Sequence, residues 1–318
     1  MLKKSWSRYQ KFEHFLSTYC FNKRERFPPT EIEKQTKDID VFLVGSDWVW
    51  HLSDNLLNSD PIDLNWLQFI YLGFHPVFHN KKLIAYAASQ GIIPHSPSSI
   101  LREALENFCM ISVREAESVL YLSKNGTTKP IEHVLDPTLL INIADLPEIE
   151  SNITINNSDK YIFLYILPAK NINTIRVYAQ NIAEKTGKSI CNFSQETDFS
   201  VSGIPSLGNK FGPSEFLAGI KQCHYVITNS FHGMVFALLY HKPFTGFQRQ
   251  QNDFRQINLV RLLDLENRLL PNIEINHSFE DPYNIKIDWN HVDKLRKKAS
   301  SVSVDFLKRS ILGGHSTY

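Results

Sequence analysis

Apolar residues in this chain come in short unbroken runs, each followed by a turn and then by a stretch with helical spacing. The first run covers residues 39–44 and ends at Gly45, and the next covers 83–88 before Gly91. A third, 108–113, leads into a helix-like stretch over 114–124, and a fourth, 131–135, stops at Asp136-Pro137. Unbroken runs of this length suit strands covered on both faces, as in a parallel sheet. Residues 142–159 interrupt the series with a polar, weakly patterned segment that reads as a linker. A second series then predicts strands over 161–167, 189–193, 224–228 and 243–247. Helices are expected over 171–185, stopped by Gly187, over 213–222 with Pro213 in the first turn, and over 231–240. The chain ends in a basic amphipathic helix over 289–312.

Two βα series around one linker predict an α/β fold of two Rossmann-like domains facing a cleft. One domain is expected over 1–145 and the other over 158–290. A length of 318 residues accommodates two such cores. Ligands in these sheets bind at the carboxyl ends of strands, so the strand-to-helix turns are where chemistry is expected.

Composition narrows the class. A net charge of +1 and the lack of a basic stripe with interleaved aromatics argue against nucleic acid as a partner. The cysteines, Cys20, Cys109, Cys191 and Cys223, form no C-x-x-C pair, which argues against zinc and redox motifs. Cys109 and Cys223 read as small buried residues, and the set suits a reducing cytoplasm. His51, His75, His79 and His95 show no ligand spacing, so no metal is expected. The start of the sequence lacks the apolar stretch of a signal peptide, and no apolar run is long enough to span a bilayer. A soluble, cytoplasmic protein is expected.

The segment richest in chemistry is Tyr225-Val-Ile-Thr-Asn-Ser-Phe-His-Gly-Met-Val-Phe-Ala. A strand ending at Thr228 and Asn229 and a helix starting near His232 would form an anion site from helix-start N–H groups and the helix dipole. Thr228 and Ser230 add hydroxyls, and Gly233 allows close backbone approach. The plainer reading makes Asn229 or Ser230 an N-cap and His232 a polar first-turn residue. Arg114, where the third strand becomes a helix, either grips an anion or pairs with Glu115 or Glu117. Asp47, after Gly45-Ser46, is a base, a sugar ligand or a turn cap. Trp48 and Trp50 beside it either stack on a sugar or are buried. Lys170, Arg249 and Arg255 are weaker cationic candidates.

Thr228-Asn-Ser-Phe-His-Gly, an apolar helix and Lys242-Pro-Phe resemble the C-terminal signature of polysaccharide pyruvyl transferases. Further segments agree in order: Asp40-Val-Phe-Leu-Val-Gly-Ser-Asp-Trp-Val-Trp50, Tyr86-Ala-Ala-Ser-Gln-Gly91, Ile111-Ser-Val-Arg-Glu115, Leu135-Asp-Pro-Thr-Leu139 and Pro213-Ser-Glu-Phe-Leu217. The resemblance covers residues 38–270. It implies a GT-B-like fold and a ketal-forming transfer of an enolpyruvyl unit from phosphoenolpyruvate to a hexose of a cell-surface polysaccharide precursor. Phosphoenolpyruvate is then a co-substrate, and no cofactor is expected. His232 becomes the acid and Asp47 a candidate base. Arg114, Thr228, Asn229, Ser230, Gly233, Arg249 and Lys170 become donor-binding candidates. Ser46, Trp48 and Trp50 become acceptor-binding ones.

Members of that family begin with an apolar strand and a glycine turn, which this sequence does not show, so a shortened N-terminal domain is expected, either as a naturally short form or because the start lies upstream of Met1. The acceptor is either free or linked to a carrier lipid. Lys294, Arg296, Lys297, Lys298, Lys308 and Arg309 make the last helix either a solvated face or a contact with an anionic inner-membrane surface. Two other functions share this sequence pattern: a nucleotide-sugar glycosyltransferase, for which Glu215 is the candidate ribose ligand, and a non-catalytic sugar- or phosphate-binding module.

Overall fold

The structure, a computed structural model, describes residues 2–19, 31–52, 65–93, 98–146, 161–194, 211–250, 253–271 and 281–313. The helices are α1 (Leu2–Tyr19), α2 (Ile32–Gln35), α3 (Trp66–Tyr71), α4 (Ser99–Glu106), α5 (Ala116–Asn125), α6 (Ile172–Thr186), α7 (Pro213–Gln222), α8 (Phe231–Leu239), α9 (Phe254–Leu262) and α10 (Trp289–Leu312). The strands are β1 (Val41–Val44), β2 (Lys82–Ala88), β3 (Met110–Val113), β4 (Ile131–His133), β5 (Ile162–Tyr165), β6 (Ile190–Asn192), β7 (Tyr225–Thr228), β8 (Phe244–Phe247) and β9 (Leu269–Leu270). Most of the expected linker lies outside the described residues; its start, Ile143–Asp145, is a 3-10 turn capped by Asn142.

The chain divides into two compact units, one of residues 24–140 with 293–318, the other of 1–23 with 141–292. This differs at both ends from the expected domains of 1–145 and 158–290. Residues 1–23 belong with the C-terminal series, and nearly all of α10 belongs with the N-terminal one. Specific contacts explain the exchange. The backbone N–H of Leu135 donates to Ser303 Oγ at 2.9 Å, and buried Phe306 packs beside the Tyr86 ring at 6.2 Å. Arg309 pairs with Glu132 at 2.8 Å. At the other end, Lys11 of α1 pairs with Glu215 of α7.

The first unit carries a four-stranded sheet in the order β1-β2-β3-β4, with every pairing parallel. All of β2 but its first residue is buried, as its unbroken apolar sequence requires of a strand covered on both sides. Trp50, Leu72, Leu83 and Phe108 fill the core on one side. Gly45 ends β1 so close to β2 that a Cβ there would stand 1.9 Å from the carbonyl oxygen of Tyr86. Only glycine fits that approach.

The second unit carries five parallel strands in the order β6-β5-β7-β8-β9. The order runs one way from β5 to β6 and the other way from β7 to β9. Such a reversal is a topological switch point, and the adjacent strands β5 and β7 open a crevice beyond their carboxyl ends. Helix α6 ends at Gly187 in the left-handed conformation (φ 66°), the C-cap the sequence predicts. Pro213 opens α7, whose Glu215 accepts from the N–H of Gly212 at 2.9 Å.

Among the described residues no helix is long and apolar enough to cross a membrane, and no cluster of His, Cys, Asp and Glu fit to hold a metal occurs. Cys223 is buried as expected, and burial pushes its thiol up to about 12. Cys109 is instead exposed at the start of β3. Alkylation of the native protein at pH 8 should therefore modify Cys109 well before Cys223, as read by mass spectrometry of timed digests. Phe306→Ala should cost about 3–5 kcal/mol of stability in denaturant titration, because it empties a fully buried aromatic site between α10 and β2.

Candidate functional site

The switch point is built by side chains that bind backbone. Asn229, buried just after β7, accepts from the N–H of Leu167 at 2.7 Å and donates to the carbonyl of Leu167 at 2.9 Å. Thr228 Oγ1 donates to the carbonyl of Tyr165 at 2.6 Å and accepts from the N–H of Ser230 at 3.0 Å. These residues were expected to bind a donor. Their polar atoms are instead spent on holding β5 and β7 together. Gly233 is likewise a packing residue: a Cβ there would meet Thr228 Oγ1 at 2.6 Å.

Ser230 is the N-cap of α8, its Oγ accepting from the N–H of Gly233 at 3.3 Å. Its hydroxyl hydrogen is not used in that bond. His232 follows in the first turn of α8, half-buried, its ring edge-on to Phe231 at 5.2 Å. Buried Gln256, which the sequence did not single out, supports the turn from α9. Its amide donates to the carbonyls of Asn229 (3.1 Å) and Phe247 (3.0 Å) and accepts from the N–H of Arg249 (3.1 Å).

Ser230 and His232 line a cavity of about 370 Å³. Tyr165 and Leu167 from the end of β5 form another wall, so the cavity lies at the switch point. Most of the remaining lining is aromatic, including Phe193, Phe216 and Phe236. Burial pushes the Tyr165 phenol up, against the opposing pull of Arg8, so it stays a neutral donor at neutral pH. Arg8 and Phe12 of α1 close the cavity from a direction the sequence did not reveal. Arg249 and Lys170 are not among the lining residues: Arg249 Nε donates to the carbonyl of Pro168 at 3.2 Å, and Lys170 is exposed. Arg255 is neutralised by Asp253 through two bonds of 2.8 and 2.7 Å. Glu215, the candidate ribose ligand, is engaged by Lys11 and the start of α7.

The candidates of the other unit gather around Arg114. Its guanidinium binds Glu115 at 3.0 Å, Asp136 at 2.5 Å, and Asp47. Burial pulls its pKa down, but Glu115, Asp136 and Asp47 outweigh burial and hold it above the ordinary arginine value. One buried cation facing three carboxylates has no charge to spare for a donor anion, so the plainer ion-pair reading prevails for Arg114. Ser46 joins the cluster, donating to Asp136 at 3.0 Å, and Asp47 is held in it as an ion-pair partner. Trp50 is 1% exposed, its Nε1 donating to the carbonyl of Tyr71 at 3.0 Å, so it is a core residue and offers no face to a sugar. Trp48 is half-buried, against His51 (4.4 Å between rings) and close under Gly91.

Parallel α/β units with a ligand-sized cavity at a switch point define a Rossmann-like, GT-B-like protein. A described UDP-N-acetylglucosamine 2-epimerase structure from Listeria monocytogenes shares this fold, with a TM-score of 0.54 and 11% identity over 90% of this chain and 78% of that one. No curated protein sequence matches the chain. The sequence profile of the polysaccharide pyruvyl transferase family matches residues 2–251. The chain belongs to that family, and the match includes both the His232 turn and α1.

Arg114→Ala leaves buried carboxylates without their cation and should lower stability by about 3–5 kcal/mol. Differential scanning calorimetry would read this as a large drop in melting temperature, and a variant melting within a degree of the wild type would remove the cluster from the stability argument.

Proposed function

We propose that the protein transfers the enolpyruvyl unit of phosphoenolpyruvate to two hydroxyls of a hexose in a polysaccharide precursor, forming a pyruvate ketal. The observation that carries this reading is His232 in the first turn of α8, lining the aromatic cavity at the β5/β7 switch point. Family membership supports the transferase class and a polysaccharide acceptor.

The chemistry suits the groups that line the cavity. Protonating the terminal methylene of phosphoenolpyruvate makes its central carbon cation-like. A sugar hydroxyl attacks there, phosphate leaves, and a second hydroxyl closes the ketal. The two hydroxyls lose two protons; one balances the proton given to the methylene and the other leaves with phosphate. His232 is the proton donor, since an imidazole both holds and releases a proton near neutrality. The Ser230 hydroxyl, the Tyr165 phenol and the positive end of the α8 dipole face charge on the donor. The reaction needs no cofactor. Contact with an anionic inner-membrane face, where a lipid-linked acceptor would be presented, falls to the exposed lysines of α10, Lys294, Lys297, Lys298 and Lys308.

His232→Ala should lower transfer by about 10²–10⁴-fold, the range for loss of a general acid, with an unchanged melting temperature. Near-wild-type turnover in that variant would remove His232 from the mechanism. Millimolar phosphoenolpyruvate should raise the melting temperature of the wild type, with UDP and GDP as controls; at a hundredfold excess over Kd the stabilisation is about 2.7 kcal/mol. A rise with a nucleotide in place of phosphoenolpyruvate would turn the assignment to a glycosyltransferase.

A further inference from the structure

We propose that Arg8, on the N-terminal helix α1, is the cation that binds an anionic group of the ligand held beside His232. The identity of that ligand as phosphoenolpyruvate rests on the pyruvyl-transfer reading; the anion site does not.

The described arginines with well-defined partners are already satisfied. Arg114 faces three carboxylates, Arg255 is paired with Asp253, and Arg309 with Glu132 and Asp305. Arg268 spends both terminal nitrogens on backbone carbonyls, among them that of Pro282 at 2.6 Å, and lines no part of the cavity. Arg8 is different. It is half-buried in the cavity wall, yet among the described residues it forms no ion pair and no hydrogen bond. Its guanidinium lies over the Phe12 ring at 5.1 Å and close enough to Tyr165 for each to perturb the other. Burial pulls its pKa down, the mark of a cation that has lost water without gaining a counter-ion. A charge left in this way is costly for stability alone, and an incoming anion relieves the cost.

The position of Arg8 is fixed by its own helix. One turn further on, Lys11 pairs with Glu215. At the same place α1 approaches the backbone so closely that a Cβ on Gly212 would stand 2.7 Å from Lys11 Cβ. This contact clamps α1 to the start of α7 and holds Arg8 over the cavity. Aromatic walls offer the guanidinium few polar neighbours and so strengthen a guanidinium–anion pair. The guanidinium fork can grip a carboxylate or a phosphate through two parallel bonds, a geometry that lysine lacks. A volume of about 370 Å³ lies at the small end of ligand sites, which suits a compact anion rather than a nucleotide sugar.

Isothermal titration of the full chain with phosphoenolpyruvate, inorganic phosphate and pyruvate tests this, using wild type, Arg8→Gln and Arg8→Lys. The expected result is binding of phosphoenolpyruvate by the wild type, at least tenfold weaker in Arg8→Gln and partly recovered in Arg8→Lys. The two single-anion probes show whether phosphate or carboxylate meets the guanidinium. Unliganded melting temperatures check that the variants fold, and Arg8→Lys carries the test should Arg8→Gln not fold. Equal affinity of Arg8→Gln and wild type for phosphoenolpyruvate overturns the inference while the pyruvyl-transfer reading stands. Arg8-dependent binding of phosphate without binding of phosphoenolpyruvate keeps the anion site and overturns that reading. Binding of none of the probes overturns both.

Discussion

The paired hydrogen bonds between the Asn229 carboxamide and the backbone of Leu167 are the constraint on which the switch-point cavity depends. Strands β5 and β7 pair in register up to Tyr165 and Thr228, and beyond that point a switch-point crevice opens. Opening it leaves backbone N–H and C=O groups with no ladder to join, and buried groups of that kind must find partners. Asn229 supplies both for Leu167, Thr228 supplies one for Tyr165, and Gln256 ties the turn to the end of β8. With the backbone satisfied by buried side chains, the first turn of α8 is tied to both β5 and β8. His232 is the residue this arrangement delivers to the cavity. The richness of polar residues in Thr228-Asn-Ser-Phe-His-Gly is therefore divided: the early ones build the turn, and Ser230 and His232 line the cavity.

The same division explains two sequence expectations that the structure corrects. A strand-end arginine and a pair of tryptophans after a Gly-Ser-Asp turn have the right residue types for anion and sugar binding. Sequence order cannot show that Asp47, Glu115 and Asp136, drawn from three turns, converge on Arg114. Nor does it show that Trp50 turns inward against Phe108 at 5.4 Å. An arginine's use to a ligand depends on what its neighbours leave of its charge, and that is a property of tertiary packing.

The parallel sheets were legible because their strands are unbroken apolar runs with no other good solution than burial on both faces. Caps were legible for the same local reason: Gly187 takes a left-handed conformation, and Pro213 fits only a first turn. Helix α1 was not. Its apolar residues recur at helical spacing but are outnumbered by polar ones, and Trp6, Tyr9 and Phe12 stay exposed with Phe15 half-buried, so the stretch carries little of the core signal that marked the other elements. Its contribution comes through Arg8 and Lys11, charged residues that a solvated face would also carry. Gln256 was illegible in a similar way, as one amide in a helix whose partners, Phe247, Arg249 and the more distant Asn229, are backbone groups that carry no side-chain signal.

The exchange of terminal segments gives these long-range contacts a functional weight. The C-terminal βα series looks self-contained in sequence, since it holds the switch point, the α8 turn and His232. Its cavity is nevertheless finished by α1, more than a hundred residues earlier in the chain. The clamp between Lys11 and Glu215 sits on the residue that also closes the first turn of α7, so one carboxylate orders both the helix start and the incoming segment. A cavity built on a turn of local sequence is thus completed by residues from the far end of the chain. The boundary of the unit that holds the cavity follows the contacts of α1 with α7 rather than the order of the βα repeats.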